Sequence, residues 1–227
     1  MEKYLEATRF IDSDHPDVIS FAEKTVKNIS EEREKAVAIY EAVRDTIWYD
    51  PYRIDLYPDN IKASIVLKRG SGYCVEKAIT LTAVGRAAGL PVRLGFAIVK
   101  NHLASERFLN VLKTDRFVFH GYNEFLLDNR WIKCTPAFNI GLCEKYGVDV
   151  LGFNGKDDSI FHQFDKDGSK YMEYLHDYGT FADLPYDLFV SELRKYYGHL
   201  FEEGESSKHE GWYLKHPFSQ PTTKPKD

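Results

Sequence analysis

The segment from Gly72 to residue 88 constrains the fold most, because a glycine-containing turn runs directly into a helical pattern. Mostly apolar side chains then recur near the helical period: Val75, Ala78, Ile79, Thr82, Val84, Ala87 and Ala88. Gly89 and Pro91 supply a stop signal after them. The pattern predicts a strongly amphipathic helix that begins at Cys74 and needs a second layer to cover its apolar face.

Cys74 would then lie in the first turn of this helix. The free N–H groups of a first turn and the helix dipole favour negative charge, so we expect Cys74 to hold a thiolate more readily than a free cysteine. Thiolate is the nucleophilic form of cysteine. The alternative is a small buried cysteine with a packing role. A nucleophile requires a partner base from another element of the fold.

A β-hairpin between residues 117 and 136 offers such a base. Residues 117–127 are typical of a strand, the Asp-Asn dipeptide at 128–129 indicates a tight turn, and residues 130–136 are typical of the returning strand. The first strand carries His120. Histidine is the most common general base in enzymes.

The hairpin register predicts a third group beside His120. A two-residue turn pairs Leu127 with Arg130 and therefore Tyr122 with Thr135. His120 and Thr135 would then project from one face of the sheet as diagonal neighbours. The hairpin thus predicts a hydroxyl within reach of the imidazole.

Several blocks of the sequence, taken together, resemble the transglutaminase-like superfamily of papain-like cysteine enzymes over about residues 30–200. The resemblance rests on the helical segment 34–45, Trp48-Tyr49-Asp50, Gly72-Tyr73-Cys74, the segment 86–93, Asn101-His102-Leu103, His120-Gly121-Tyr122, the return through Trp131 and Thr135-Pro136-Ala137-Phe138-Asn139. Within this superfamily, the sequence most resembles a bacterial branch of single-domain transglutaminase-like proteins. The resemblance implies an α+β fold in which the nucleophile helix packs on an antiparallel sheet, with Cys74 as nucleophile and His120 as general base and acid.

Thr135 departs from the superfamily pattern, in which an aspartate precedes the proline. A threonine hydroxyl can accept a hydrogen bond from the imidazole, as the asparagine of Cys-His-Asn sites does, but it adds no charge. Asn139 is an alternative orienting group, and Asp115 is a further one whose polar surroundings favour a solvated charge. Weakened catalysis is therefore expected.

Composition limits the partners and the location. The 227 residues are 43% hydrophobic, and 30 Lys and Arg residues face 35 Asp and Glu residues, so neither a nucleic acid nor an anionic membrane is indicated as partner. The apolar runs are too short for a bilayer span, and the first residues lack the pattern of a secretory signal. These features predict a cytoplasmic protein.

No cofactor or metal site is predicted. The sequence has no phosphate-binding glycine motif, and its three cysteines, Cys74, Cys134 and Cys143, lack metal-ligand spacing. His102 lies in a long polar connection, residues 100–116, without a carboxylate or cysteine at ligand spacing.

The chain length favours one domain over residues 1–200, with a core at about 30–140, a C-terminal brace at 141–200 and a polar tail at 201–227. Residues 48–60 and 141–168 are predicted to be mainly loop, and 212–214 form a docking patch within the tail. The first of these loops is rich in aromatic residues and is a candidate lining for a cleft.

The predicted function is thiol-dependent acyl transfer on an amide substrate, a protein or peptide, through a thioester on Cys74. Water as acceptor would give an amidase or peptidase, and an amine would give a transglutaminase-type reaction; hydrolysis or a narrow transfer is favoured. The alternative is a catalytically silent binding module on the same fold, which Thr135 favours.

Overall fold

A computed structural model of the chain describes residues 1–102, 104, 106–160, 172–202 and 213–215. The helices are α1 Pro16–Thr25, α2 Glu32–Thr46, α3 Ala63–Arg69, α4 Cys74–Ala87, α5 Glu106–Leu112, α6 Ile140–Tyr146 and α7 Tyr186–Glu202. The strands are β1 Trp48–Tyr49, β2 Arg53–Asp55, β3 Ser71–Gly72, β4 Val92–Asn101, β5 Arg116–Leu127, β6 Arg130–Cys134, β7 Met172–Phe181 and β8 Tyr213–Lys215. The fold is α+β, as predicted.

The central element is a four-stranded antiparallel sheet in the order β6-β5-β4-β7. Helix α4 packs on β5 in the middle of this sheet. The larger hydrophobic cluster lies between them and extends to α1, α2 and α7. A smaller cluster, formed by Ala97, Val99, Tyr122, Ala137, Leu151 and Met172, includes alternate residues of β4 and therefore lies on the opposite face of the sheet.

Helix α4 is buried on all sides, whereas the sequence pattern predicts an amphipathic helix. Every residue from 75 to 86 is buried, because α1, α2 and α3 cover the sides that the sheet leaves free. Its charged residues Glu76, Lys77 and Arg86 are enclosed with their hydrogen-bond partners. An enclosed helix has no solvent face, so the amphipathic expectation is wrong although the helix begins at Cys74 as predicted.

Arg86 ties three distant segments to α4. One guanidinium nitrogen donates to the carbonyl of Glu6 at 2.7 Å, and two donate to the carbonyl of Val92 at 3.1 and 2.9 Å. A further bond, 2.6 Å long, reaches the carbonyl of Ala182, between β7 and α7. The side chain therefore joins the start of the chain, the sheet and the segment that leads into the last helix.

The hairpin has the predicted register. Leu127 pairs with Arg130, and the ladder continues to Asn123 opposite Cys134. The two turn residues have φ angles of 49° and 59°, as a type I′ turn requires. The register predicted for this hairpin is therefore correct along the whole paired length.

The connections contain more regular structure than the sequence indicates. Residues 48–60 include β1 and β2, and β1 pairs in parallel with β3 directly before Cys74. The polar connection at 100–116 contains α5, and the stretch at 141–168 begins within α6. Strand β7, which the sequence does not predict, lies within the predicted brace and extends the central sheet at β4.

The predicted tail also contributes a strand within the described residues. β8 pairs in parallel with β2, through Arg53 opposite Tyr213. The tail segments 203–212 and 216–227 lie outside the described residues, and the first of them includes Trp212 of the predicted docking patch. The domain boundaries at residues 140 and 200 stay predictions.

Candidate active site

Cys74 is the first residue of α4, and the chain before it is held on both sides. Ser71 and Gly72 pair with β1, and the N–H of Tyr73 donates to Oε2 of Glu76, 3.2 Å away. This bond closes the first turn because Glu76 is the third residue of the helix. Glu76 itself is ion-paired with Arg69 at 2.7 Å. The backbone position of the thiol is therefore fixed by local structure.

Gly121 of β5 lies directly against this first turn. A Cβ atom at Gly121 would stand 3.1 Å from the carbonyl oxygen of Cys74 and 3.1 Å from the Cα of Val75. The strand can approach the helix this closely only because residue 121 has no side chain. Since Gly121 follows His120, the backbone of the histidine lies one residue from this contact.

Cys74 is a partly exposed residue, whereas Cys134 and Cys143 are buried. Burial raises the pKa of the Cys74 thiol to about 11, and the N–H groups of Gly121, Val75 and Cys74 itself lower it only in part. The direction is opposite to the one that the helix position predicts. The reason is that loss of hydration outweighs the stabilisation by the helix end.

His120 is 5% exposed and pairs with Ala97 of β4. Burial lowers the pKa of its imidazole to about 4. Tyr122, two residues further on, belongs to the smaller cluster, against which Cys74 also packs. Because side chains two residues apart point to the same face of a strand, the His120 side chain points to the face of the sheet that carries this cluster.

Thr135 and Asn139 lie close to this region in the chain but make different bonds. The N–H of Thr135 donates to the carbonyl of Ser159 at 3.0 Å, and its carbonyl accepts from the Tyr40 hydroxyl at 3.1 Å. Within the described residues, the buried Thr135 hydroxyl has no hydrogen-bond partner. The ladder ends one residue before Thr135 because its N–H bonds to Ser159. The Thr135–His120 hydrogen bond is therefore not formed here.

The other two sequence candidates are engaged elsewhere. The Oδ1 of Asn139 accepts from the N–H of Tyr49 at 3.2 Å, which fixes β1. Asp115 lies 2.7 Å from the ammonium of Lys100, whose hydrogen bond lowers the pKa of the carboxyl, in agreement with a solvated charge. His102 approaches Glu173 at 3.5 Å. No group of three or more potential metal ligands occurs among the described residues.

Two aromatic side chains pack on the same small cluster as Cys74. Tyr49 packs edge-to-face on Phe138, with ring centroids 4.9 Å apart, and both lie against this cluster. Trp48, the preceding residue, is 47% exposed. The aromatic segment at 48–60 thus contributes at least one side chain to the cluster on which Cys74 packs.

Lys77 is a site-supporting residue that sequence reasoning missed. Its ammonium is completely buried and donates to the carbonyls of Arg44 and Ile47, at 2.7 and 2.6 Å. These carbonyls belong to the end of α2, which leads into β1. Burial lowers the pKa of Lys77 to about 7. The sequence signal that could have revealed this role is a lysine within an otherwise mostly apolar helical pattern.

Comparison with known proteins identifies the family. Residues 19–136, just over half of the chain, match the transglutaminase-like superfamily, and the chain belongs to this superfamily. None of the curated proteins compared with this chain matches it. No helix in the described part of the chain is both long and apolar enough to cross a membrane.

Two solved structures are similar to parts of this chain. One is a candidate cysteine protease from Cytophaga hutchinsonii, which is 15% identical with a TM-score of 0.46 over 78% of this chain. The other is a candidate protease from Parabacteroides distasonis, which is 16% identical with a TM-score of 0.36 over 58% of this chain. The matched regions span 53% and 24% of those two proteins.

Proposed function

We propose that this protein catalyses acyl transfer on amide substrates through a thioester on Cys74, with His120 as general base and acid. The observation that carries the proposal is the contact of Gly121 with the first turn of α4, because it brings the residue after His120 against the partly exposed cysteine. Membership of the transglutaminase-like superfamily supports the same assignment.

In the proposed reaction the Cys74 sulfur attacks the amide carbonyl while its proton passes to His120. Transfer of the proton at the moment of attack suits the two pKa values, since burial keeps both the thiol and the imidazole neutral near pH 7. His120 then protonates the departing amine or ammonia, which leaves a thioester on Cys74. The backbone N–H of Cys74, in the first helical turn, is one donor for the oxyanion.

Water is the acceptor that we favour for the second step. His120 removes a proton from water, the hydroxide adds to the thioester, and the carboxylic acid leaves as the thiol is restored. A protein or peptide amide is the proposed substrate.

The second candidate is a catalytically silent module that binds a peptide with the same cleft. Two observations favour it: the Thr135 hydroxyl makes no hydrogen bond within the described residues, and burial raises the pKa of Cys74. A threonine at position 135 adds no charge, so this position stabilises a thiolate–imidazolium pair less than the aspartate of a charged triad does.

Thiol reactivity separates the two candidates. Intact protein is treated with iodoacetamide between pH 5 and 10, and the alkylated peptides are mapped; the buried Cys134 and Cys143 serve as internal references. A catalytic pair predicts that Cys74 reacts first and already near pH 7, because the His120 imidazole accepts the thiol proton as the sulfur attacks. Alkylation of Cys74 only at high pH would favour the silent module.

Two variants complete the test. Cys74→Ser should abolish amide hydrolysis, and His120→Ala should reduce turnover by about 10²–10⁴-fold and remove the reaction of Cys74 with iodoacetamide near pH 7. Cys143→Ser is the matched control and should retain turnover. Hydrolysis by Cys74→Ser at the wild-type rate would rule out the nucleophile assignment.

A further inference from the structure

Strand β5 contains a β-bulge directly before His120. Phe117 pairs with Val99 and His120 pairs with Ala97, so two residues of β5 lie opposite a single residue of β4. Phe119, inside the bulge, has a φ angle of 61°. A bulky aromatic residue in the left-handed region is costly, and such a conformation persists only when the surroundings impose it. The position of His120 therefore depends on what holds the bulge.

Tyr197 of α7 holds two backbone groups of this segment. Its hydroxyl donates to the carbonyl of Arg116 at 2.8 Å and accepts from the N–H of Val118 at 2.8 Å. The side chain is 3% exposed, and α7 has a non-helical residue at this position, with φ −122° and ψ 31°. The helix thus departs from regular geometry at the residue that reaches the strand.

The same helix also packs on the bulged side chain. The ring centroid of Phe119 lies 5.4 Å from that of Phe189 in α7 and 4.7 Å from that of Phe96 in β4. The pairing of β5 with β6 ends at Asn123, so the bulge has a strand partner on one side only. Helix α7 adds two hydrogen bonds and further packing, together with Tyr178 of β7, whose ring centroid lies 4.8 Å from that of Phe119.

We propose that Tyr197 is a positioning residue for His120, acting through its two hydrogen bonds to the β5 bulge. This inference rests on the function proposed above, since it concerns the base of the Cys74–His120 pair. Burial raises the pKa of Tyr197, in agreement with a hydroxyl that is enclosed between α7 and β5. Tyr197 lies outside the segment that matches the superfamily, residues 19–136.

The test compares Tyr197→Phe with Tyr186→Phe. Both variants lose one hydroxyl from α7, but the Tyr186 hydroxyl donates to the carbonyl of Leu56 at 2.5 Å, away from β5. Ring titration of His120 by NMR, the pH profile of Cys74 alkylation, kcat, KM and thermal stability are measured for each. The first readout does not require turnover.

Tyr197→Phe should move the pKa of His120 upward, toward the ordinary value of about 6.5, because a loosened bulge admits water to the ring. We expect kcat to fall by about tenfold or more while KM stays within about twofold, since misplacement of a catalytic group affects the chemical step. Tyr186→Phe should leave the titration and kcat unchanged even if it loses similar thermal stability.

The outcomes separate this inference from the proposed function. A shifted His120 titration in a protein that hydrolyses no amide would support the positioning role and reject the function. An unchanged titration and kcat, with reduced stability only, would overturn the positioning role. If Tyr197→Phe does not fold, amide exchange in the wild-type protein decides: the Val118 amide should exchange about a hundredfold more slowly than an exposed amide, and rapid exchange would overturn the inference.

Discussion

Replacing Thr135 with valine separates two roles that this residue can have. The side chain is 1% exposed, and its hydroxyl has no hydrogen-bond partner within the described residues. The bonds to Ser159 and Tyr40 use only its backbone and survive the substitution. Valine has nearly the same shape and prefers strands.

The magnitude follows from the cost of burying a hydroxyl without a partner. That cost is about 1–3 kcal/mol in proteins, and valine removes it without creating a cavity. We therefore expect Thr135→Val to stabilise the fold by about 1 kcal/mol. For a chain of this size, the melting temperature should rise by about 2–4 °C.

Urea unfolding and amide turnover are measured in parallel. Thr82→Val is the matched control, because the Thr82 hydroxyl is equally buried but accepts from the side-chain amide of Asn123 at 2.8 Å. Thr82→Val should lose about 1–2 kcal/mol, since it leaves one N–H of that amide unpaired while the other still donates to the Ala78 carbonyl. Turnover of Thr135→Val should stay within about twofold of wild type if the hydroxyl does not orient His120.

The opposite result would refute this reasoning. A loss of more than about 1 kcal/mol in Thr135→Val, together with a drop in turnover, would show that the hydroxyl has a partner in solution. The His120 ring would then be the partner that the hairpin register predicts. Thr135→Asp should in that case raise the His120 pKa and lower the pH at which Cys74 is alkylated.

Two other substitutions test the surroundings of the thiol. Gly121→Ala should destabilise the fold by about 1–3 kcal/mol and slow Cys74 alkylation, because the new Cβ meets backbone atoms at 3.1 Å. Gly152→Ala is the control, since a Cβ at this position meets no atom within 4 Å. Equal urea midpoints for the two variants would contradict the close approach of Gly121 to α4. Lys77→Met tests the pH dependence of stability. Burial lowers the pKa of Lys77 from 10.5 to about 7, so the folded state binds fewer protons than the unfolded chain between these values. The unfolding free energy of wild type should therefore rise by up to about 5 kcal/mol relative to that of the variant as pH increases from 7 to 10.5. A wild-type-to-variant difference in unfolding free energy that is flat with pH would contradict this assignment.

The elements around Cys74 and His120 could be predicted because their signals are local. The start of α4 follows from the glycine-containing turn and the helical pattern, and the hairpin register follows from a two-residue turn. The enclosure of α4 could not be predicted, because the buried Glu76 and Lys77 have the appearance of solvent-facing charges until their partners are known.

Strand β7 escaped prediction for a different reason. It is an edge strand whose side chains are mostly half-buried or exposed, so Glu173, His176 and Asp177 interrupt the alternation that marks a strand. The pKa of Cys74 was also outside the reach of sequence reasoning. The sequence shows that Cys74 lies at a helix start, but it does not show how deeply the thiol is buried, and burial is what raises its pKa.

The Arg86 guanidinium has a consequence for fragments of this protein. Of its three carbonyl acceptors, those of Glu6 and Ala182 lie outside residues 19–136, the segment that matches the superfamily. An isolated fragment with those limits would lose two of the three carbonyls that accept hydrogen bonds from this guanidinium, together with the segments that enclose it. We therefore expect such a fragment to be less stable than the full chain, and recombination or domain grafting should preserve the residues from Glu6 to Ala182 together.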